Sequence, residues 1–234
     1  MKPLGQTRTT IQANHAFIAP DGHVIAPLAG WEATQGIILI SPHMRNLPRF
    51  TQYLALMDAG AKSAMPFDNV QRFVYVMDGV IQLEMDEQAL DLVAGHFAYI
   101  PANTSHQLSS EAEAKALIFE KPYTQSNLDG EPFMGDEDAR LRTLLPTDIQ
   151  YDMAINLFTF QSGAALPFVE THIMEHGLYL LEGQGIYRLY EAWYPIHADD
   201  VLWMGAYCPQ WFCAFGKTQS TYIYYKDMNR DPLS

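Results

Sequence analysis

The segment Glu170-Thr171-His172-Ile173-Met174-Glu175-His176 concentrates carboxylates and imidazoles into seven residues. Oxygen and nitrogen donors of these types hold divalent cations. The backbone decides which of them meet. On a helix His172 and His176 would lie one turn apart, but Glu170 would point roughly 200° away from His172. On a continuous strand Glu170 and His172 share a face, whereas His176 would sit ~13 Å further on. A reversal near Ile173 to Glu175 removes the conflict, because His176 then opens a neighbouring strand and comes alongside His172. The apolar run Leu178 to Leu181, ended by Glu182-Gly183, fits a strand leaving that turn. The spacing therefore predicts strand, turn and strand, with Glu170, His172 and His176 converging.

A fourth donor has to come from a distant strand, and an internal repeat indicates where. The run Phe73 to Leu83 resembles Gly177 to Tyr187 in pattern: apolar residues, an acid and glycine, then a second apolar run. Gly79 and Gly183 stand 104 residues apart, and the same step carries His106 onto Gln210. Phe97-Ala98-Tyr99-Ile100-Pro101 falls on Val201-Leu202-Trp203-Met204-Gly205 at that offset. A duplicated unit explains one offset that aligns several pairs. Glu170, His172, His176 and Gln210 form a set without thiolate, which suits Mn²⁺ or Fe²⁺, leaves Zn²⁺ open and disfavours Ca²⁺. Cys208, two residues before Gln210, is a weaker alternative ligand that would shift the preference toward Zn²⁺.

The elements that must position these residues are strands. Gly36 to Ser41, Phe50 to Met57, Ala154 to Phe160 and Ser220 to Lys226 are short apolar runs bounded by turn residues, which predicts an all-β barrel or sandwich. Gln125 to Gln150 is rich in Gly, Pro and acids and reads as a linker, with a weak helical signal from Asp136 to Leu145. The expected division is a lobe over 1–125, a linker over 126–150 and a lobe over 151–234. Gly183-Gln184-Gly185 reads as a hairpin turn; it lacks the following helix of a phosphate cradle. Trp193, Trp203, Trp211 and Phe212 are expected in the core.

The chain resembles the cupin superfamily at two places. Gly163-x6-Glu170-x-His172-x3-His176-x6-Gly183 is similar to the first cupin signature, and Asp199 to Gln210 to the second, with Gln in the usual histidine place. Glu in place of the first His, His in place of the Glu, and this Gln together resemble the (S)-ureidoglycine aminohydrolases. Glu170-Thr171-His172-x-x-Glu175-His176-Gly177, Met204-Gly205-Ala206-Tyr207 and Tyr224-Tyr225-Lys226-Asp227-x-Asn229-Arg230-Asp231 read like that family. The resemblance is dense from Gly163 to Asp231 and looser before. It implies a bicupin, that is, a duplicated double-stranded β-helix or jelly-roll barrel. It also implies Mn²⁺-dependent hydrolysis of (S)-ureidoglycine to ureidoglycolate and ammonia in purine (allantoin) catabolism. The alternatives are another metal-dependent cupin enzyme, an isomerase or oxygenase, or a cupin that binds a small acid without turnover.

Strand alternation puts Tyr222, Tyr224 and Lys226 on one face. The resemblance makes Tyr187, Tyr222 and Lys226 substrate contacts, and Glu170 is the carboxylate placed to move a proton. In the first lobe the 104-residue offset sets Pro66, Asp68 and Arg72 where Glu170, His172 and His176 stand. That lobe is expected to be metal-free, with His106 a packed remnant.

The net charge of −13, from 14 basic and 27 acidic residues, argues against nucleic acid and anionic membrane surfaces as partners. No run approaches the ~18 apolar residues of a membrane span, and Met1 to Thr10 lacks the apolar core of a signal peptide. Two cysteines, Cys208 and Cys213, are expected to be buried thiols in a reducing cytoplasm. A small ureido acid is the expected substrate, and a homo-oligomer the expected state.

Overall fold

The computed structural model describes residues 6–44, 48–85, 88–125 and 139–230. In chain order the first strands are β1 (Thr10–Ile11), β2 (His15–Ile18), β3 (Ala26–Pro27), β4 (Glu32–Ile40) and β5 (Thr51–Lys62). They continue as β6 (Val70–Asp78), β7 (Val80–Met85), β8 (Gln88–Val93), β9 (Phe97–Ile100), β10 (His106–Ser110) and β11 (Ala114–Pro122). Then come β12 (Ala139–Thr143), β13 (Met153–Phe160), β14 (His176–Glu182), β15 (Gln184–Leu189) and β16 (Ala192–His197). The last are β17 (Val201–Met204), β18 (Gln210–Ala214) and β19 (Ser220–Asp227). Among the described residues the helical content is one 3-10 turn, Pro20–Gly22, and no helix is long and apolar enough to cross a membrane. The all-β expectation holds, and all four sequence-read strands fall within or overlap β4, β5, β13 and β19.

The chain divides into two units, His23–Tyr123 and the residues up to Gly22 together with those from Thr124 on. In the first, one sheet runs β8-β7-β10-β5-β11-β6-β9, with β4 and β3 added beside β5. In the second, a seven-stranded sheet runs β1-β2-β17-β14-β19-β13-β12, and a three-stranded sheet runs β16-β15-β18. Alternation closes this second barrel. Leu178, Leu180, Leu202, Met204 and Tyr222 of the larger sheet share a core with Tyr187, Leu189, Ile196, Phe212 and Ala214 of the smaller.

Several expectations need correction. The opening strands do not belong with the first lobe: β2 pairs antiparallel with β17, His15 opposite Met204 and Phe17 opposite Leu202. All four β2 residues are buried there, and the Arg8 guanidinium forks onto the buried Asp200 carboxylate at 2.9 and 2.6 Å. The span expected as linker contains β12, which pairs with β13 from Ala139↔Phe160 to Thr143↔Asn156. Where a helix was expected from Asp136, 139–143 is thus strand, and 136–138 lie outside the described residues. Pairing with an existing strand outweighs a weak local helical preference. Trp193 is 54% exposed on the edge strand β16, whereas Trp203 and Phe212 are buried as expected. Cys208 is buried and Cys213 is only half-buried.

The two repeated glycines are corners rather than hairpin turns. β14 pairs with β17 and β19 in the larger sheet, while β15 pairs with β16 and β18 in the smaller. Gly183 is the single residue between them, at φ 81°, and a Cβ there would lie 2.4 Å from the Gln219 carbonyl oxygen. Gly79 turns the corner from β6 to β7 at φ 76°, with a Cβ meeting the Glu113 carbonyl oxygen at 2.5 Å. Left-handed backbone and backbone-to-backbone approach both exclude a side chain. Gly183→Ala should therefore lower unfolding free energy by at least about 2 kcal/mol, read by urea denaturation; an unchanged midpoint would remove the close approach from the account.

Candidate metal centre

Two main-chain hydrogen bonds bring the two halves of the motif together. Glu170 N–H donates to the Gln210 carbonyl at 2.8 Å, and Gln210 N–H donates back to Glu170 at 2.9 Å, a lone antiparallel bridge. From there the chain bends irregularly through His172 and enters β14 at His176. The expected reversal is present, but its first arm is a one-residue bridge followed by coil instead of a strand. Polar anchors replace the missing strand pairing. Tyr207 N–H donates to the His172 carbonyl at 2.7 Å, and Glu175 N–H donates to Asp227 Oδ1 at 2.6 Å. The buried Glu175 carboxylate in turn accepts from Trp203 Nε1 at 3.3 Å.

These anchors aim the four predicted side chains at one place. Gln210 Nε2 lies 3.0 Å from His172 Nε2 and 3.1 Å from His176 Nδ1. Glu170 Oε2 is 4.0 Å from His172 Nε2, and the two imidazole centroids are 4.6 Å apart. His176 and Gln210 are buried at the floor; the side chains of His172 and Glu170 are 26% and 33% exposed, at the open end. Among the described residues no three side chains drawn from His, Cys, Asp and Glu alone form an ion-holding group. Glu170, His172 and His176 by themselves are therefore not such a group, and Gln210 adds its amide contacts to the two imidazoles.

The donor set fits a divalent cation on two counts. Separations of 3.0 and 3.1 Å match the roughly 3 Å between neighbouring ligands of an octahedral ion with bonds of about 2.1 Å. Burial lowers the pKa of both histidines, that of His176 well below its usual value, with Lys226 acting in the same direction. Both imidazoles are thus held neutral, the form that ligates. The opposite nitrogen of each ring, Nδ1 of His172 and Nε2 of His176, is buried without a hydrogen-bond partner. The Tyr187 hydroxyl donates to Gln210 Oε1 at 3.1 Å. With the amide turned over, its oxygen faces the imidazoles and its NH₂ faces the phenol oxygen, which can accept as well as donate.

Around this floor stand the other predicted residues. Lys226 is paired across strands with His176. Burial pushes its pKa down, opposed by the charges of Glu170 and Asp227. Burial raises the Glu170 carboxyl, and Lys226 partly offsets that. Tyr187 and Tyr222 are buried, their pKa values raised well above normal by burial, with the Glu170 charge adding to it. Cys208 is buried, and burial pushes its thiol up to about 11. A cavity of about 460 Å³ lined by Arg8, Phe17, Tyr194 and Phe215 lies elsewhere in this unit and includes none of the four donors.

Comparison with known proteins bears on the whole chain. A cupin domain family model matches residues 53–120. The chain is 42% identical to a probable (S)-ureidoglycine aminohydrolase of Oryza sativa subsp. japonica, over 98% of this chain and 78% of the relative. It belongs to the (S)-ureidoglycine aminohydrolase family. A second family member, from Arabidopsis thaliana, is 38% identical over 98% of this chain and 80% of its own. A crystal structure described as a putative glyoxylate induced protein from Pseudomonas aeruginosa has a TM-score of 0.86 at 26% identity, covering 99% of this chain and 94% of that one.

In this aminohydrolase-family chain the first barrel keeps the place of the cluster but fills it differently. Arg72, 2% exposed, stands at the position equivalent to His176. Its Nε donates to Glu120 Oε1 at 2.7 Å, and its Nη1 reaches His106 Nε2 at 2.9 Å and the Ala64 carbonyl at 3.1 Å. Tyr53 donates to the same Glu120 oxygen at 2.9 Å, and the guanidinium carbon lies 5.4 Å from the Trp31 ring. A fixed cation sits inside the barrel, held by a carboxylate, an imidazole and an aromatic face. His106 is the packed, hydrogen-bonded residue expected. Removing one partner of a buried ion pair strands the other. Arg72→Met is expected to lower unfolding free energy by about 3 kcal/mol in urea titrations, and a loss below about 0.5 kcal/mol, the level of a neutral surface change, would contradict the network.

The anchoring roles of Asp227, Glu175 and Trp203 are not legible in the sequence, where the first two stand only as parts of motifs and Trp203 as a core residue. Asn156 is not singled out there. Asn156 alone carried a readable signal, as a polar residue sharing the alternate face of Phe158 and Phe160.

Proposed function

We propose that the chain hydrolyses (S)-ureidoglycine to ureidoglycolate and ammonia, with a divalent cation, Mn²⁺ for preference, held by Glu170, His172, His176 and Gln210. The observation that supports this reading most is the approach of the Gln210 amide to both imidazoles, at 3.0 and 3.1 Å, in a chain of this family. A bound cation supplies Lewis acidity, which polarises a bound group and eases loss or gain of a proton there. No thiolate takes part, in keeping with a hard-to-borderline ion.

The protein's own groups account for the remaining work. The substrate is a small acid, and Lys226 offers an ammonium to its carboxylate. Burial makes a lone ammonium unfavourable, so an incoming carboxylate restores the pairing that water provided. The Glu170 carboxyl, raised by burial and standing at the open end of the cluster, is placed to take a proton from water and pass it to the departing amine. Water's hydroxyl replaces the amine on carbon, the C–N bond breaks with its electron pair on nitrogen, and ammonia leaves with the added proton. Tyr187 holds Gln210 in its rotamer, and Tyr222 lines the same core.

Purified protein freed of metal and reloaded with Mn²⁺ should release one ammonia per (S)-ureidoglycine, and the metal-free form should not. Glu170→Gln should lower turnover by at least about hundredfold while still retaining one equivalent of Mn²⁺ on dialysis. Ammonia release that is unchanged by metal removal, or none in either form, would reject the reading.

A further inference from the structure

One buried polar side chain in the second barrel has no part in the chemistry above. Asn156 is 4% exposed. It stands on β13 two and four residues before Phe158 and Phe160, so strand alternation gives all three one face. Phe160 belongs to the barrel core and Phe158 packs against it, which turns that face inward. Across the sheet Asn156 is paired with Tyr224, and its side chain hydrogen-bonds the Tyr224 side chain. The Tyr224 ring lies 5.6 Å from the His176 ring and 5.8 Å from the Tyr222 ring. The next inward pair along the two strands is Ala154 opposite Lys226.

The inward faces of β13 and β19 thus form a graded surface. Lys226 provides a cation at one step, and Asn156 with Tyr224 provides neutral donors and acceptors at the next. A primary amide has two N–H donors and a carbonyl acceptor, more capacity than one phenol takes up. Amides and ureas complement each other, because each presents an N–H beside a C=O. A carboxylate held at Lys226 places the rest of a small ureido acid alongside this pair.

We propose that Asn156, backed by Tyr224, binds the carbamoyl group of the substrate and sets specificity for ureido acids over other small amino acids. This rests on the hydrolase reading and extends it to how the uncharged end is recognised. A site built to hydrogen-bond a substrate N–H discriminates strongly against an analogue that lacks it, because the buried amide is then left unpaired.

The test uses Mn²⁺-loaded protein, calorimetry and two ligands that do not turn over. N-carbamoylglycine keeps the carboxylate and the carbamoyl group and lacks only the amine that hydrolysis expels. N-acetylglycine replaces its terminal NH₂ with a methyl group. The unaltered protein should bind N-carbamoylglycine at least about tenfold more tightly. Asn156→Leu should abolish that preference by weakening N-carbamoylglycine alone, with N-acetylglycine held within about twofold. Asn156→Ser, smaller and still polar, guards against failure to fold and should show the same loss of preference. Retention of the preference in both variants, or equal weakening of both ligands, would overturn the inference. Ammonia release from (S)-ureidoglycine by the unaltered protein, measured in parallel, tells this failure apart from failure of the hydrolase reading itself.

Discussion

The mutual main-chain hydrogen bonds between Glu170 and Gln210 tie an irregular loop to the start of β18, and the chemistry of the second barrel follows from that bridge. The loop is also tied to β18 further back, where Ala165 bridges Cys213 and Leu166 N–H donates to the Phe212 carbonyl, but the Glu170 bridge is the pairing next to the donors. With it, an amide from one sheet and an imidazole from the other come within 3.1 Å. Each of the two imidazoles keeps one buried ring nitrogen without a hydrogen-bond partner, Nδ1 of His172 and Nε2 of His176. Asp227, Glu175 and Trp203 complete the arrangement from behind, by fixing the turn between the two histidines.

Both barrels meet the same physical requirement in different ways. A barrel floor lined by polar groups needs a cation or a full set of hydrogen bonds, because unpaired polar groups away from water are costly. In the first barrel the cation is covalently part of the chain: Arg72 occupies the place of His176, and Glu120, His106 and Trp31 surround it. A guanidinium held on three sides excludes a second positive ion. In the second barrel the corresponding place has neutral donors, with Lys226 close by and a carboxylate at the mouth. At the 104-residue offset Pro66, Asp68 and Arg72 stand where Glu170, His172 and His176 do, and Arg72 gives the first floor a structural ion pair with Glu120.

Much of this was legible in the sequence because its signals were local or repeated. The alternating runs identified strands, and the single 104-residue offset located Gln210 without any contact information. The resemblance supplied the family and the roles proposed for Tyr187, Tyr222 and Lys226. What escaped the sequence was non-local. The pairing of β2 with β17 joins segments almost the whole chain apart, and nothing in His15 to Ile18 specifies its partner. The strand character of β12 comes from β13 and not from its own residues. Glycines that look like hairpin turns proved to be corners, since a turn residue does not reveal whether its flanking strands pair with each other. His172 sits in coil, held by a main-chain bond from Tyr207 and by Asp227 on nearby Glu175, contacts that periodicity does not reveal.

Anomalous X-ray scattering from crystals of the Mn²⁺-loaded protein addresses the central claim directly. The account predicts one manganese peak per chain, about 2.0–2.3 Å from Glu170, His172, His176 and Gln210, and none beside Arg72. A peak at His106 in the first barrel, or a second barrel without manganese while those four side chains keep their hydrogen-bonded contacts, would contradict it.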